Sequence, residues 1–267
     1  MRTLLKVGIF VLSGLATASP EFVPLQEKAQ GGALAGASQL NDSLYTNPAG
    51  SSFTQVYALD GIFQMPKTFA VSVLDTRTSG MGGALGYFRK QVGSYEQPLQ
   101  GAKLGLCGKV SDSIGFGVAG KMLWGPNLAG DYTKLNDIDT GLLGTYSFLQ
   151  FGVALRNTLG GDVSMDQGRE WTAGARAGWE DTLYLSVATV SHWEAVSPYQ
   201  YGAGVEYVSP YYFSLKAGYR TQPRVGQNFW SAGFSFLSPR LSLHYAVEFP
   251  QQAGSKTEHL LGVTLLM

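Results

Sequence analysis

The sequence predicts an all-β fold: a transmembrane antiparallel β-barrel of about 14 strands with an N-terminal plug segment in its lumen. Three observations predict it. Apolar residues recur at every second position through most of the chain, connections alternate in length, and charged residues are only 14% of the 267 positions. An ordinary soluble domain carries roughly 25% charge.

The elements follow in chain order. "MRTLLKVGIFVLSGLATAS" has Arg2 and Lys6, then an apolar run, then Ala16 and Ala18 spaced as a cleavage site, so residues 1–18 are expected to be a secretory signal peptide. That run is too short to span a bilayer as a helix, and no later run is long enough. Residues 19–54, with "GGALAGASQ", are too rich in small residues to build an independent core. Residues 55–267 are expected to form the barrel.

Within the barrel the period is two. Leu104 and Leu106 oppose Lys103, Gly105, Cys107 and Lys109. Phe116, Val118 and Met122 oppose Gly117, Ala119 and Lys121; Phe151 and Val153 oppose Gly152, Ala154 and Arg156. The same holds for Trp171 to Trp179, Tyr211 to Tyr219 and Leu241 to Phe249, where Arg176, Lys216, Arg220, His244 and Glu248 share the polar phase. A soluble sandwich would turn the apolar face into a core; an outer-membrane barrel would turn it to lipid. Aromatics at the ends of the apolar stretches favour the barrel, as does the alternation of short links ("SDS", "LQ", "EDT", "SP", "LSPR") with long ones ("GPNLAGDYTKLND", "LGGDVSMDQGRE", "SHWEAVSPY", "TQPRVGQN", "PQQAGSKTE"). The first three strands, near 57–64, 69–76 and 81–89, fit less well, because "MPK" is short where a long loop is due.

Several functions are disfavoured. Net charge is zero, which gives no electrostatic case for nucleic acid. His192, His244 and His259 have no metal-like spacing, and Cys107 has no partner, so neither a metal, a cofactor nor an enzyme is expected. The lumen charges Lys103, Lys121, Asp139, Arg156, Arg176, Glu206, Lys216, Arg220 and Glu248 have mixed sign, with Asp60 and Lys109 in the same phase. Mixed signs suit mutual pairing and pairing with the N-terminal segment better than an ion-selective pore.

The stretch "GGALAGASQLNDSLYTNPAGSSF" resembles the N-terminal hatch of FadL-like outer-membrane transporters of hydrophobic compounds and of the related PorV-like barrels. The likeness extends more loosely through "DIDTGLL", "QFGVALRNTLG", "YGAGVEY", "SLKAGYR" and "EHLLGVTLLM". It implies a 14-stranded bacterial outer-membrane barrel, in membrane lipid, whose plug is held around Asn47, Pro48, Ala49 and Gly50. In that role Asn47 would cap the turn, Pro48 would fix the backbone and Gly50 would permit a positive φ; a plain turn into the first strand is the alternative. In the resembled transporters a kink in the third strand opens a lateral gap. Here Gly80, Gly82, Gly83 and Gly86 occupy that strand, and making room for the plug is their other reading. The resemblance implies passive transport of hydrophobic, fatty-acid-like molecules with lateral release. A PorV-like anchor for exported proteins, or a purely structural barrel, is the alternative. The connecting stretches are shorter than the capture loops of FadL-like transporters.

Overall fold

The computed structural model describes residues 21–92, 95, 97–165, 167–193, 198–252 and 255–267; the expected signal peptide lies outside them. The fourteen strands are β1 Tyr57–Gln64, β2 Thr68–Asp75, β3 Met81–Lys90, β4 Leu99–Lys109, β5 Ile114–Pro126, β6 Tyr132–Tyr146 and β7 Leu149–Arg156, then β8 Glu170–Trp179, β9 Leu183–His192, β10 Gln200–Ser209, β11 Phe213–Gln222, β12 Gln227–Leu237, β13 Leu241–Pro250 and β14 Glu258–Leu266. Each pairs antiparallel with its neighbour in sequence, and β1 closes the ring on β14 from Ala58↔Leu266 to Gln64↔Leu260. Closure leaves no free edge, so every strand has both ladders made.

Alternation sets the two faces. Outward positions carry the large apolar residues, among them Leu59, Val71, Leu104, Leu142, Val187 and Leu261, all more than a third exposed. Aromatic side chains ladder across neighbouring strands near both rims: Phe69, Tyr87 and Trp124 with Tyr219 and Trp230 at one, Tyr207, Phe213 and Phe234 at the other. An apolar band between two aromatic girdles is the exterior that a bilayer requires.

Two connections are shorter than the sequence suggests. β5 runs on to Pro126 and β6 begins at Tyr132, so "GPNLAGDYTKLND" is mostly ladder. Leu123 and Leu135, paired across it and buried, hold that extension. Likewise β11 and β12 pair up to Gln222↔Gln227, which leaves 223–226 as the turn. The first three strands are complete, although the length alternation inverts there: residues 65–67 join β1 to β2 at the long-loop end, and 76–80 join β2 to β3 at the short-turn end.

Inside the ring lie residues 21–56. They form a short helix α1, Leu25–Ala29, and two 3-10 turns, Leu40–Leu44 and Pro48–Ser51, and nearly all are buried. The close fit depends on glycine. A Cβ on Gly36 would strike the backbone of Ala173 and Gly174, and one on Gly152 would strike the carbonyl of Gly36. Gly31 and Gly32 have φ of +63° and +75°, a region only glycine occupies freely, where the chain leaves α1 and crosses β11.

Candidate functional site

The segment is fastened to the barrel wall by its elbow. Asn47 caps the 3-10 turn by accepting from the Ala49 amide at 3.0 Å, and Pro48 sits in the first turn, where its missing N–H costs nothing. The Asn47 side-chain nitrogen donates to the Gly36 carbonyl at 2.6 Å and to the Leu142 carbonyl of β6 at 3.1 Å. One amide thus joins its own turn, the preceding loop and the wall. Gly117 and Gly141 lie against Pro48 and Asn47, where a side chain would collide. Gly50 differs from its expected role. Its φ is not positive; it is glycine because a Cβ would run into the Ser38 carbonyl.

Most of the inward charges are paired. Glu21 of the segment meets Lys103 and, at 3.2 Å, Lys121; Asp139 meets the same two lysines at 2.9 and 2.8 Å. Two cations and two anions close a square across β4, β5 and β6. Arg156 pairs with Glu170 at 2.6 Å and reaches Glu21 at 4.0 Å. On the far side Lys28 of α1 bonds Glu258 and lies 4.0 Å from Glu248, which takes Arg220 at 2.8 Å. Glu206 takes Arg176 and Lys216, each at 3.0 Å. The partners Glu170 and Glu258 share the inward phase of their strands, which was the signal for them; Glu21 and Lys28 lie in the segment, where no period points inward. Asp137, also buried, accepts from the Leu159 and Gly161 amides and so ties down the 157–169 connection.

The third-strand glycines do not interrupt the sheet. Gly83 pairs with Asp75 and Leu106, Gly82 with Cys107, and Gly86 with Ser72 and Lys103, in one unbroken register. Gly80 and Gly83 face open space, Gly82 lies against Thr76 and Cys107, and Gly86 makes room for Leu44 and Tyr45 of the segment. The ladder therefore leaves no gap at Gly82 and Gly83. His244 hydrogen-bonds Ser235 and Gln26, both at 2.9 Å, and Thr264 at 3.2 Å. Cys107 is a buried free thiol, and no group of three metal-ligating side chains occurs among the described residues.

Beside the segment the lumen holds a cavity of about 490 Å³. Leu25, Leu34 and Leu40 of the segment face Ile62, Leu237 and Leu266 of the wall across it, and it reaches Tyr212 and Pro239 in the short turns. Its size is that of a small-molecule site. Toward the long-loop end, between Phe22, Tyr45 and Tyr199, the space is only about 20 Å³. There Phe22 packs on Tyr45 and Phe88, with ring centroids 5.1 and 5.8 Å away.

No family model matches this chain, and no curated protein matches it. Solved structures do. It is similar to the CymD monoaromatic hydrocarbon channel, with a TM-score of 0.65 and 12% identity over 91% of this chain and 97% of that one. The toluene transporter TbuX of Ralstonia pickettii aligns with a TM-score of 0.62 and 13% identity over 92% and 97%. A FadL homologue of Pseudomonas aeruginosa aligns with a TM-score of 0.58 and 12% identity over 92% and 99%. At such identities the likeness concerns the fold: this chain has the FadL-like barrel fold.

Proposed function

We propose that this FadL-like barrel sits in the bacterial outer membrane, binds hydrophobic small molecules and passes them inward without an energy source. The observation that carries the reading is the cavity of about 490 Å³, with leucines of the segment facing Ile62, Leu237 and Leu266 of the barrel. The neighbours in fold that carry hydrocarbons or toluene support it. Residues 19–54 act as the plug, and the Phe22, Tyr45 and Phe88 cluster closes its outer side. Ligand leaves at the short-turn end, where the cavity reaches the turns. Lateral release at Gly82 and Gly83 would instead require the β2–β3 and β3–β4 pairs to part. No catalytic step is assigned.

The test fills the cavity. Leu34→Trp with Ile62→Trp is expected to reduce the apolar molecules retained by the protein in mild detergent about tenfold, read by mass spectrometry. Heat-modifiable gel mobility should show the barrel still folded. Equal retention would sink the transport reading, and nothing retained by either protein would favour a protein-binding anchor.

A further inference from the structure

The wall is neutral almost everywhere that it faces outward. Among the described strand residues in the outward phase only three carry charge: Asp75 at the short-turn rim, and Arg89 and Lys134 at the long-loop rim. Asp75 is spent locally on the Arg77 and Thr78 amides and the Thr78 hydroxyl. The two cations differ from it. Both are exposed, and neither forms an ion pair or a side-chain hydrogen bond among the described residues.

They also share one line. Arg89 on β3 lies opposite Gln100 on β4, Gln100 opposite Trp124 on β5, and Trp124 opposite Lys134 on β6, so all four project from a single cross-strand row. Three strand spacings, about 14 Å, separate the cations. Gln100 Oε1 accepts from the Tyr87 hydroxyl at 2.7 Å, which leaves the amide hydrogens of Gln100 to face outward. The row thus offers a guanidinium, an amide N–H, an indole N–H and an ammonium, and its one acceptor is taken. Lys67, exposed in the turn before β2, adds a cation nearby, while Asp131 and Asp162 lie in the connections beyond the row.

Such a row meets whatever lies against the outside of the barrel. A charge on a lipid-facing wall costs more the deeper it sits, and it is tolerated where it reaches headgroups. Arg89 is one residue from the end of β3, and the ladder of Phe69, Tyr87 and Trp124 marks the interface at the same height. Nearer the membrane centre the surface dips. Leu85, Leu104, Gly120 and Ile138 form another outward row, and nothing lies within 4 Å of where a Gly120 side chain would stand, which leaves a furrow between Leu104 and Ile138. On the opposite arc Tyr201, Trp230 and Phe249 occupy the long-loop rim without a charge.

We propose that Arg89 and Lys134 form a headgroup site for a lipid carrying two phosphates in the leaflet at the long-loop end. One phosphate lies on each cation, Gln100 and Trp124 donate to the headgroup between them, and an acyl chain fills the furrow at Gly120. Charge complementarity selects phosphate; the spacing selects two phosphates over one. This rests on the reading that the barrel spans an outer membrane and names a lipid held there.

The experiment presents the full protein in mild detergent with lipid A bearing two phosphates, lipid A bearing one, and phosphatidylglycerol, and reads bound lipid by native mass spectrometry. The bisphosphorylated lipid should bind at least about tenfold tighter than either of the others. Arg89→Gln with Lys134→Gln should lower its binding about tenfold, whereas Arg240→Gln with Lys256→Gln, which removes two exposed charges elsewhere, should leave it within about threefold. Unheated gel mobility checks that both variant barrels are intact. Equal loss in the two double variants means that overall charge attracts the lipid, and equal binding of phosphatidylglycerol means that the second phosphate is not read. Either result, or binding of none of the three lipids, overturns the site and leaves the membrane reading standing; protein that stays dispersed without detergent or lipid overturns both.

Discussion

The two sides of the lumen were built from the same pattern and came out differently. Along β4–β7 the inward positions include glycine, lysine and aspartate, and the segment lies flush on these: Pro48 on Gly117, Gly36 on Gly152, Glu21 between two lysines. Along β13, β14 and β1, in the half nearer the short turns, the inward positions are again mostly small or polar, with Ile62 and Leu266 among them. The segment stands off there and leaves about 490 Å³. What distinguishes them is the partner supplied by the segment. Where it offers an anion and bare backbone, the wall closes on it; where it offers Leu25, Leu34 and Leu40, the wall's Ile62, Leu237 and Leu266 stand across a void from them.

The strongest way to break this contrast is to unpair the flush side. Lys103→Met leaves Glu21 and Asp139 buried around one lysine, and removing one partner of a buried ion pair costs about 3–5 kcal/mol. The expected result is a released segment, read as higher permeability of proteoliposomes to small polar solutes, with the barrel still closed. Asn47→Ala is milder. It strands the Gly36 carbonyl and uncaps the 3-10 turn, a loss of about 1–3 kcal/mol, and should raise protease access to 36–52. The smallest effect sharpens the comparison by pH. Burial pushes the Glu27 carboxyl up from its ordinary 4.5 to about 7, against the pull of Arg156, Arg220 and Lys28. The packed segment therefore prefers the protonated acid. Its contribution is full below about pH 4.5 and is lost as pH rises through about 7. Hydrogen exchange of the amides in 25–32, corrected for intrinsic rate, should be faster at high pH; equal protection at both would refute the assignment.

Much of the fold was legible because a strand of period two states its own face. Lys103, Lys121, Arg176 and Glu248 could be placed inward from alternation alone. The extent of β5 and β6 could not, because "GPNLAG" reads as punctuation while the Leu123–Leu135 contact that extends the hairpin is a cross-strand event. Gly50 shows the same limit. Turn chemistry suggests a positive φ, but its need for glycine comes from the Ser38 carbonyl, twelve residues away and invisible to local pattern. The cavity is less legible still, since a void is defined by what two distant segments fail to fill.

Closure of the ring between β1 and β14 also separates where the segment is held from where it is loosely walled. The lysines that hold Glu21, and the strands that receive Asn47 and Pro48, are all on β4–β6, which pair with their neighbours through nearby hairpins. With 258–266 paired beside β1 the wall is continuous around the segment, and the cavity lies against that seam, lined by Asp60 and Ile62 of one strand and by Gly262, Thr264 and Leu266 of the other.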